Sequence, residues 1–286
     1  MNRRRIVRVP ASSANLGPGF DVMGAALDLH MEVEVRETGR FAVHTDLKIA
    51  RDRRNLIVRG FAALHSPDNF EFTIRSDIPL SGGLGTSAAA IVAGLVAAAG
   101  LAETNAEPEW LLRHANAIEG HPDNVAAALL GGFVLCSDGH AERFDPPAGL
   151  ECLLVVPAQA VRTAKAREAM PSRIPVQDAV FNIAHASLLV LGLSRGDLAL
   201  VARGLGDRIH QPRRAHLYPR SWELVQSAKS LGALGATISG AGPTVLVWCD
   251  FESTSAVAAK LVELSEGWAH VLRVPFAAVG ADVRSL

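Results

Sequence analysis

Alternating apolar and polar positions mark the extended segments of this chain. Residues 6–9 alternate and break at Pro10, residues 31–35 alternate again, and residues 70–74 repeat the pattern, so strands are expected at all three. Between the first two lies a glycine-rich stretch too long for a hairpin turn. After the third, a glycine-rich turn leads into an alanine-rich apolar run over 88–101, the pattern of a β–loop–α unit ending in a buried helix. A helix over 109–119 should stop at Gly120, and another should run from near Asp123 to Gly131 and Gly132.

The wholly apolar strand 152–156 follows a turn-rich segment, 145–149, which is the best boundary between an N-terminal domain of residues 1–149 and a C-terminal domain of 150–286. Helical patterns then cover 176–193, 197–204 and 222–230, a strand 244–249, and a last helix 253–264. Strands and helices mix without regular βαβ alternation, which favours an α+β class.

At 286 residues with 49% hydrophobic side chains, the chain can bury one large core or two modest ones. Its 28 basic and 29 acidic residues nearly cancel, so the electrostatic signature of a nucleic-acid or anionic-lipid partner is missing and small molecules are the expected partners. The run 88–101 is shorter than the roughly 18 residues a membrane span needs. Cys136, Cys152 and Cys249 are odd in number and widely spaced, which argues against a disulfide framework or a zinc site and suits the cytoplasm.

Four segments concentrate residues capable of chemistry. PLSGGLGTSAAA (79–90) sets Gly82, Gly83 and Gly85 before a helix, where unpaired N–H groups and the helix dipole favour a polyphosphate. Thr86 and Ser87 offer one hydroxyl to cap the helix and one to ligate Mg²⁺; a plain glycine turn with a Ser/Thr cap is the alternative. The G-K-[ST] lysine of a Walker loop is missing. In VPASSANLGPGFDVMGAAL (9–27), Asn15 and Asp21 can bind a polar or cationic group, an ammonium suiting Asp21; the alternative is a structural loop with an Asx turn. In EGHPDNVA (119–126), Glu119 ends a helix, where a carboxylate gains from a nearby cation. Asp123 reads as the cap of the next helix, and the density of polar groups at His121 and Asn124 fits either that capping arrangement or a site. GATISGAGPTVLVW (235–248) places a second glycine turn before a buried strand.

These four segments, in this order, resemble the GHMP kinase superfamily over nearly the whole chain. PLSGGLGTSAAA is similar to its phosphate loop, with Thr86 where serine is usual, and GATISGAGPT to its C-terminal glycine motif. The resemblance implies an α+β, two-domain GHMP kinase fold, with an N-terminal domain like ribosomal protein S5 domain 2, a ferredoxin-like C-terminal domain and a site in the cleft between them. It implies ATP and Mg²⁺. The segments at 9–27 and 119–126 are most similar to those of members that act on L-homoserine, which sets the expected acceptor and leaves an isoprenoid precursor or sugar as the alternative.

Position by position, the resemblance makes Pro79, Leu80, Ser81, Gly82, Gly83, Leu84, Gly85, Thr86 and Ser87 the nucleotide loop, with Asn55 near adenine and Ser87 and Glu119 on Mg²⁺. Asn15 and Asp21 would face the substrate ammonium, and His121 and Asn124 the reacting hydroxyl, with Ser87, Glu119 and Asn124 as the catalytic set. Thr163, Arg167 and Arg214 would complete the acceptor pocket, the arginines because a carboxylate calls for guanidinium contacts; Arg213 competes with Arg214. A loose phosphoryl-transfer transition state asks for alignment and charge neutralisation more than for a strong base, so Asp21 is expected to bind substrate. Monomer and homodimer both stay open.

Overall fold

The computed structural model describes residues 3–80, 82–102, 106–159, 161 and 163–284. The chain runs through β1 (Arg4–Ala14), β2 (Met23–Glu37), β3 (Ala42–His44), α1 (Leu56–Ala62), β4 (Phe70–Ser76), α2 (Thr86–Leu101), α3 (Pro108–Glu119), α4 (Pro122–Leu130), β5 (Phe133–Ser137) and β6 (His140–Phe144). It continues with β7 (Leu150–Pro157), α5 (Thr163–Glu168), α6 (Val176–Arg195), α7 (Leu198–Gly204), α8 (Gln211–Arg214), α9 (Pro219–Ser227), β8 (Gly235–Ile238), β9 (Val245–Asp250), α10 (Thr254–Leu264), β10 (Ala269–Arg273) and β11 (Asp282–Arg284).

The first sheet follows the order β11-β1-β2-β4-β3, with β5 bridging β2 to β6. Long β2 makes this possible: Met23–Ala25 pair with β5, and Met31–Glu37 pair with β4. The expected break at Pro10 does not occur. β1 runs through it to Ala14, because the ladder slips between Pro10 and Ala11, where Asp28 and Leu29 of β2 have no partner on β1 and no bond to the missing proline N–H is required. The irregular loop therefore spans only the residues between β1 and β2.

The second sheet has the order β10-β7-β9-β8, all antiparallel, which is fourth, first, third, second strand of its own unit and the ferredoxin-like arrangement expected. β7 is apolar from Cys152 to Val156 because both faces are buried there. Cys152 and Leu154 turn into the core shared with the first sheet, whereas Leu153 and Val155 pack under Leu224 and Leu261 of the covering helices. Trp248 seals the junction from β9, fully buried, its Nε1 donating to Thr237 Oγ1 at 3.0 Å and its ring near Phe133 and Phe276. Truncating such a side chain to alanine costs about 3–5 kcal/mol.

Two glycines allow α1 and α2 to cross in backbone contact. A Cβ on Gly60 would lie 2.3 Å from the Ile91 carbonyl oxygen, and one on Gly94 would lie 2.0 Å from that of Ile57. This crossing fixes α2 against the sheet and so fixes the turn that precedes it.

Candidate active site

The turn before α2 is tied down by its carbonyls. Gly82 O accepts from Thr244 N at 3.3 Å, Gly83 O from Ser239 Oγ at 2.7 Å, and Leu84 O from Ser12 N at 3.1 Å. Because a trans peptide points its N–H opposite to its C=O, these bonds turn the amides of the turn towards the cleft. The first N–H groups of α2 have no carbonyl within the helix and face the same way. Neither hydroxyl caps α2, contrary to expectation: Gly85, with φ 66°, occupies the cap position, and Thr86 Oγ1 donates to Pro79 O at 3.1 Å. Ser87 is free for another partner.

That partner is Glu119, whose Oε2 accepts from Ser87 Oγ at 2.6 Å. Glu119 is the last residue of α3, where the dipole disfavours a carboxylate, and Gly120 ends the helix with φ 92°. His121 Nε2 lies 4.0 Å from Glu119 Oε1, and its Nδ1 lies 3.6 Å from Asp123 Oδ1. The Asp123 contact leads in raising the His121 pKa, against a loss from burial, and Glu119 adds to the rise. Asp123 is not the helix cap. His121 is, in extended conformation before Pro122, and buried Asp123 instead sits inside the first turn and accepts from Asn124 N at 2.7 Å. Asn124 Oδ1 accepts a hydrogen bond from Ser12 Oγ at 2.8 Å.

The loop after β1 is held in left-handed conformation at Asn15, Leu16 and Asp21. Asn15 fixes it: its Oδ1 accepts from Asp21 N at 3.0 Å and its Nδ2 donates to Gly240 O at 2.9 Å in the second glycine turn. Asp21 then meets Arg167 of α5 in two bonds of 2.8 and 3.0 Å. This pairing, with burial opposing it, raises the Arg167 pKa. Phe20 lies beneath both arginines, 5.7 Å from the Arg167 guanidinium and 5.0 Å from that of Arg214. Arg214 is 2% exposed and its Nε donates to Ala166 O at 2.8 Å, whereas Arg213 points to solvent.

A cleft of about 510 Å³ joins these parts. Asn15, Asp21, Asn55, Leu80, Gly82 to Ser87, Glu119, His121, Asn124, Thr163, Arg167 and Arg214 all line it. Pro79 does not, and Ser81 lies outside the described residues. Asn55 has its amide committed elsewhere: it caps α1 through Ile57 N at 2.9 Å and donates to Ala50 O at 2.7 Å. The wall beside it is apolar, built from Leu47, Ile49 and Ile57.

Several residues of the site gave no signal in the sequence. Ser12 and Ser239 tie the turn to both domains, and fully buried His210 donates from Nε2 to Gly17 O at 2.7 Å. Beneath His210, Asp207 accepts from the backbone N–H groups of Ile209 and Gln211 and from Asn182 Nδ2. Among the described residues, no cluster of three or more His, Cys, Asp or Glu side chains could hold a metal alone.

Residues 55–132 match the family model for the GHMP kinases N terminal domain, and residues 189–266 match that for GHMP kinases C terminal. The chain is 44% identical over 270 residues to a homoserine kinase of Gloeobacter violaceus, covering 88% of this chain and 89% of that one. A homoserine kinase of Moorella thermoacetica is 37% identical over 257 residues, covering 85% and 87%. The crystal structure of a homoserine kinase from Cytophaga hutchinsonii superposes with a TM-score of 0.88 at 29% identity, over 98% of this chain and 97% of that one.

Proposed function

This chain belongs to the GHMP kinase family and is an ATP-dependent kinase, and we propose that it phosphorylates the side-chain hydroxyl of L-homoserine, yielding O-phospho-L-homoserine and ADP. The observation that carries this reading is the opening of two opposite recognition elements onto one cleft. The amide-lined turn with Ser87 and Glu119 suits the phosphates, and Asp21 with Arg167 and Arg214 suits an amino acid's ammonium and carboxylate.

Ser87 and Glu119 fit Mg²⁺. The ion prefers oxygen ligands, takes few from protein and completes its shell with phosphate oxygens and water, so a hydroxyl and a carboxylate 2.6 Å apart suffice. When bound, it supplies neutralisation of phosphate charge. The apolar wall of Leu47, Ile49 and Ile57 suits a purine ring, and Asn55 shapes that wall as the cap of α1. Turn amides and the α2 dipole stabilise charge on the transferred group, His121 and Asn124 stand nearest the acceptor hydroxyl, and Thr163 closes the acceptor end. Asp21 serves as a binding group, since a carboxylate engaged with an ammonium is a poor proton acceptor.

The proposal includes a cytoplasmic enzyme of threonine biosynthesis, divided into residues 1–149 and 150–286, with β11 returning to complete the first sheet. Its test is ADP release from Mg·ATP with homoserine, serine, threonine, mevalonate and galactose as acceptors. Homoserine should give the highest kcat/KM. Brisk turnover of mevalonate or galactose beside none of homoserine would refute the acceptor while sparing the kinase.

A further inference from the structure

Two carbonyl oxygens of the loop after β1 are bonded behind the cleft rather than in it. Gly17 O accepts from His210 Nε2 at 2.7 Å, and Pro18 O accepts from Asn182 Nδ2 of α6 at 3.3 Å. None of these four residues lines the cleft. The same loop lies against the end of α7 in backbone contact: a Cβ on Gly17, with φ 85°, would stand 2.6 Å from the Leu205 carbonyl oxygen.

Asp207 fixes both donors. Its side chain is fully buried and accepts from the backbone N–H groups of Ile209, His210 and Gln211 at 2.8, 3.1 and 2.7 Å, and from Asn182 Nδ2 at 2.8 Å. These bonds satisfy the carboxylate where it stands, so it needs no proton from the His210 ring, whose Nε2 lies 3.5 Å from Oδ2. Asn182 Oδ1 accepts in turn from Arg208 N at 2.9 Å. Movement of either donor would leave buried polar atoms unpaired, which holds both in one place.

His210 also reaches Arg214. Its Nδ1 accepts from Arg214 Nη1 at 3.4 Å, and its ring centroid lies 5.2 Å from that of Phe20, over which the Arg214 guanidinium sits. Gly240 O closes the circuit from the other side, accepting from Asn15 Nδ2 at 2.9 Å and from Arg214 Nη1 at 3.4 Å. The loop that carries Asp21 and the helix that carries Arg214 are thus joined twice, once through Gly240 and once through His210.

We propose, resting on homoserine as the acceptor, that His210 is a positioning residue that fixes the separation between Asp21, which receives the ammonium, and Arg214, which with Arg167 receives the carboxylate. Asn182 is the second tie on the same loop. An α-amino acid presents its two charges at one fixed spacing, so a loop displaced by about 1 Å loses one contact or the other. The nucleotide turn is held by a different set, Ser12, Ser239 and Thr244, and is left in place.

Steady-state kinetics of the parent and four variants test this. His210→Ala should raise KM for homoserine about tenfold or more while KM for Mg·ATP stays within about twofold. His210→Gln, whose amide can still donate to Gly17 O, should recover most of that loss. Asn182→Ala should raise the same KM by a smaller factor, and it provides the second reading if His210→Ala does not fold. Combined with Asp21→Asn, His210→Ala should lose less than the product of the two single losses, because both act through one loop. A parent inactive on homoserine would refute the acceptor, and the role of His210 with it. With an active parent, the role of His210 alone would be overturned by folded variants whose homoserine KM is unchanged or rises in step with that for Mg·ATP, by a glutamine no better than alanine, or by a double variant whose losses multiply.

Discussion

Asp21 and Arg167, 146 residues apart in sequence, meet in the wall of the cleft with a paired contact of 2.8 and 3.0 Å. Both side chains remain more than one third exposed, so the pair itself stabilises the fold little. On the proposed function, a zwitterionic amino acid would offer a separate partner to each, its ammonium to Asp21 and its carboxylate to Arg167, and its entry would exchange one ion pair for two. Asp21→Asn should raise KM for homoserine by about 10- to 100-fold, the value of a charged hydrogen bond, and lower kcat by less than about tenfold. Steady-state kinetics distinguish this from a base: a loss of several orders of magnitude in kcat at constant KM would assign Asp21 to proton transfer.

Glu119→Gln preserves size and removes charge where Ser87 Oγ approaches at 2.6 Å. The variant should lose about 100-fold or more in kcat and require more free Mg²⁺ for half-maximal rate, as expected for removing an electrostatic element of phosphoryl transfer. Rates measured against free Mg²⁺ at saturating nucleotide test this. An unchanged Mg²⁺ dependence would remove Glu119 from the ion.

Gly83 and Gly39 form a controlled pair, with φ of 80° and 82°. A Cβ at Gly83 would lie 2.3 Å from the Ser239 carbonyl oxygen, whereas one at Gly39 would meet nothing within 4 Å. Gly39→Ala should cost about 1 kcal/mol from backbone conformation alone. Gly83→Ala should cost more than about 2 kcal/mol and weaken nucleotide binding as well, because the turn must move off Ser239. Urea denaturation and nucleotide titration of both variants separate strain from local collision.

His210 gives stability a pH dependence of predictable sign. Burial lowers its pKa and Arg214 adds to that, against Asp207, the Gly17 carbonyl and Asp21. Its Nε2–H donates to Gly17 O, which leaves Nδ1 to accept from Arg214 NH1 at 3.4 Å, so the neutral ring fits and a second proton would face a guanidinium. The unfolded chain takes up that proton near pH 6.5 and the folded chain does not, so stability is intact above that value and declines as pH falls towards the lowered pKa. Thermal melts at a series of pH values should show His210→Gln with a shallower acid-side slope; His30, also lowered by burial, keeps its own share. A steeper slope in the variant would reverse the assignment.

What the sequence discloses of this site is what leaves a local chemical anomaly. Glycines before an alanine run, a carboxylate at a helix C-terminus, and a glycine-rich loop too long for a hairpin turn each stand out locally, and it is their order along the chain, through the family it resembles, that implies one cleft. Asp123 was also within reach: Pro122 marks the first helical position, which makes His121 the cap. Pro10 misleads because the compensating bulge lies on the opposite strand, at Asp28 and Leu29. Ser12, Ser239 and His210 are invisible for a different reason. Their partners are Asn124, Gly83 and Gly17, of which the last two stand 156 and 193 residues away, and such contacts exist only once both domains are folded.

Phosphorus NMR of one reaction follows directly the proposed transfer of a phosphoryl group to the acceptor hydroxyl in this cleft. With Mg·ATP and L-homoserine, a phosphomonoester resonance coupled to the homoserine γ-methylene protons should grow as the ATP γ-signal disappears, in equal amount with ADP. ATP left unchanged, or consumed only to inorganic phosphate at a rate indifferent to homoserine, would contradict it.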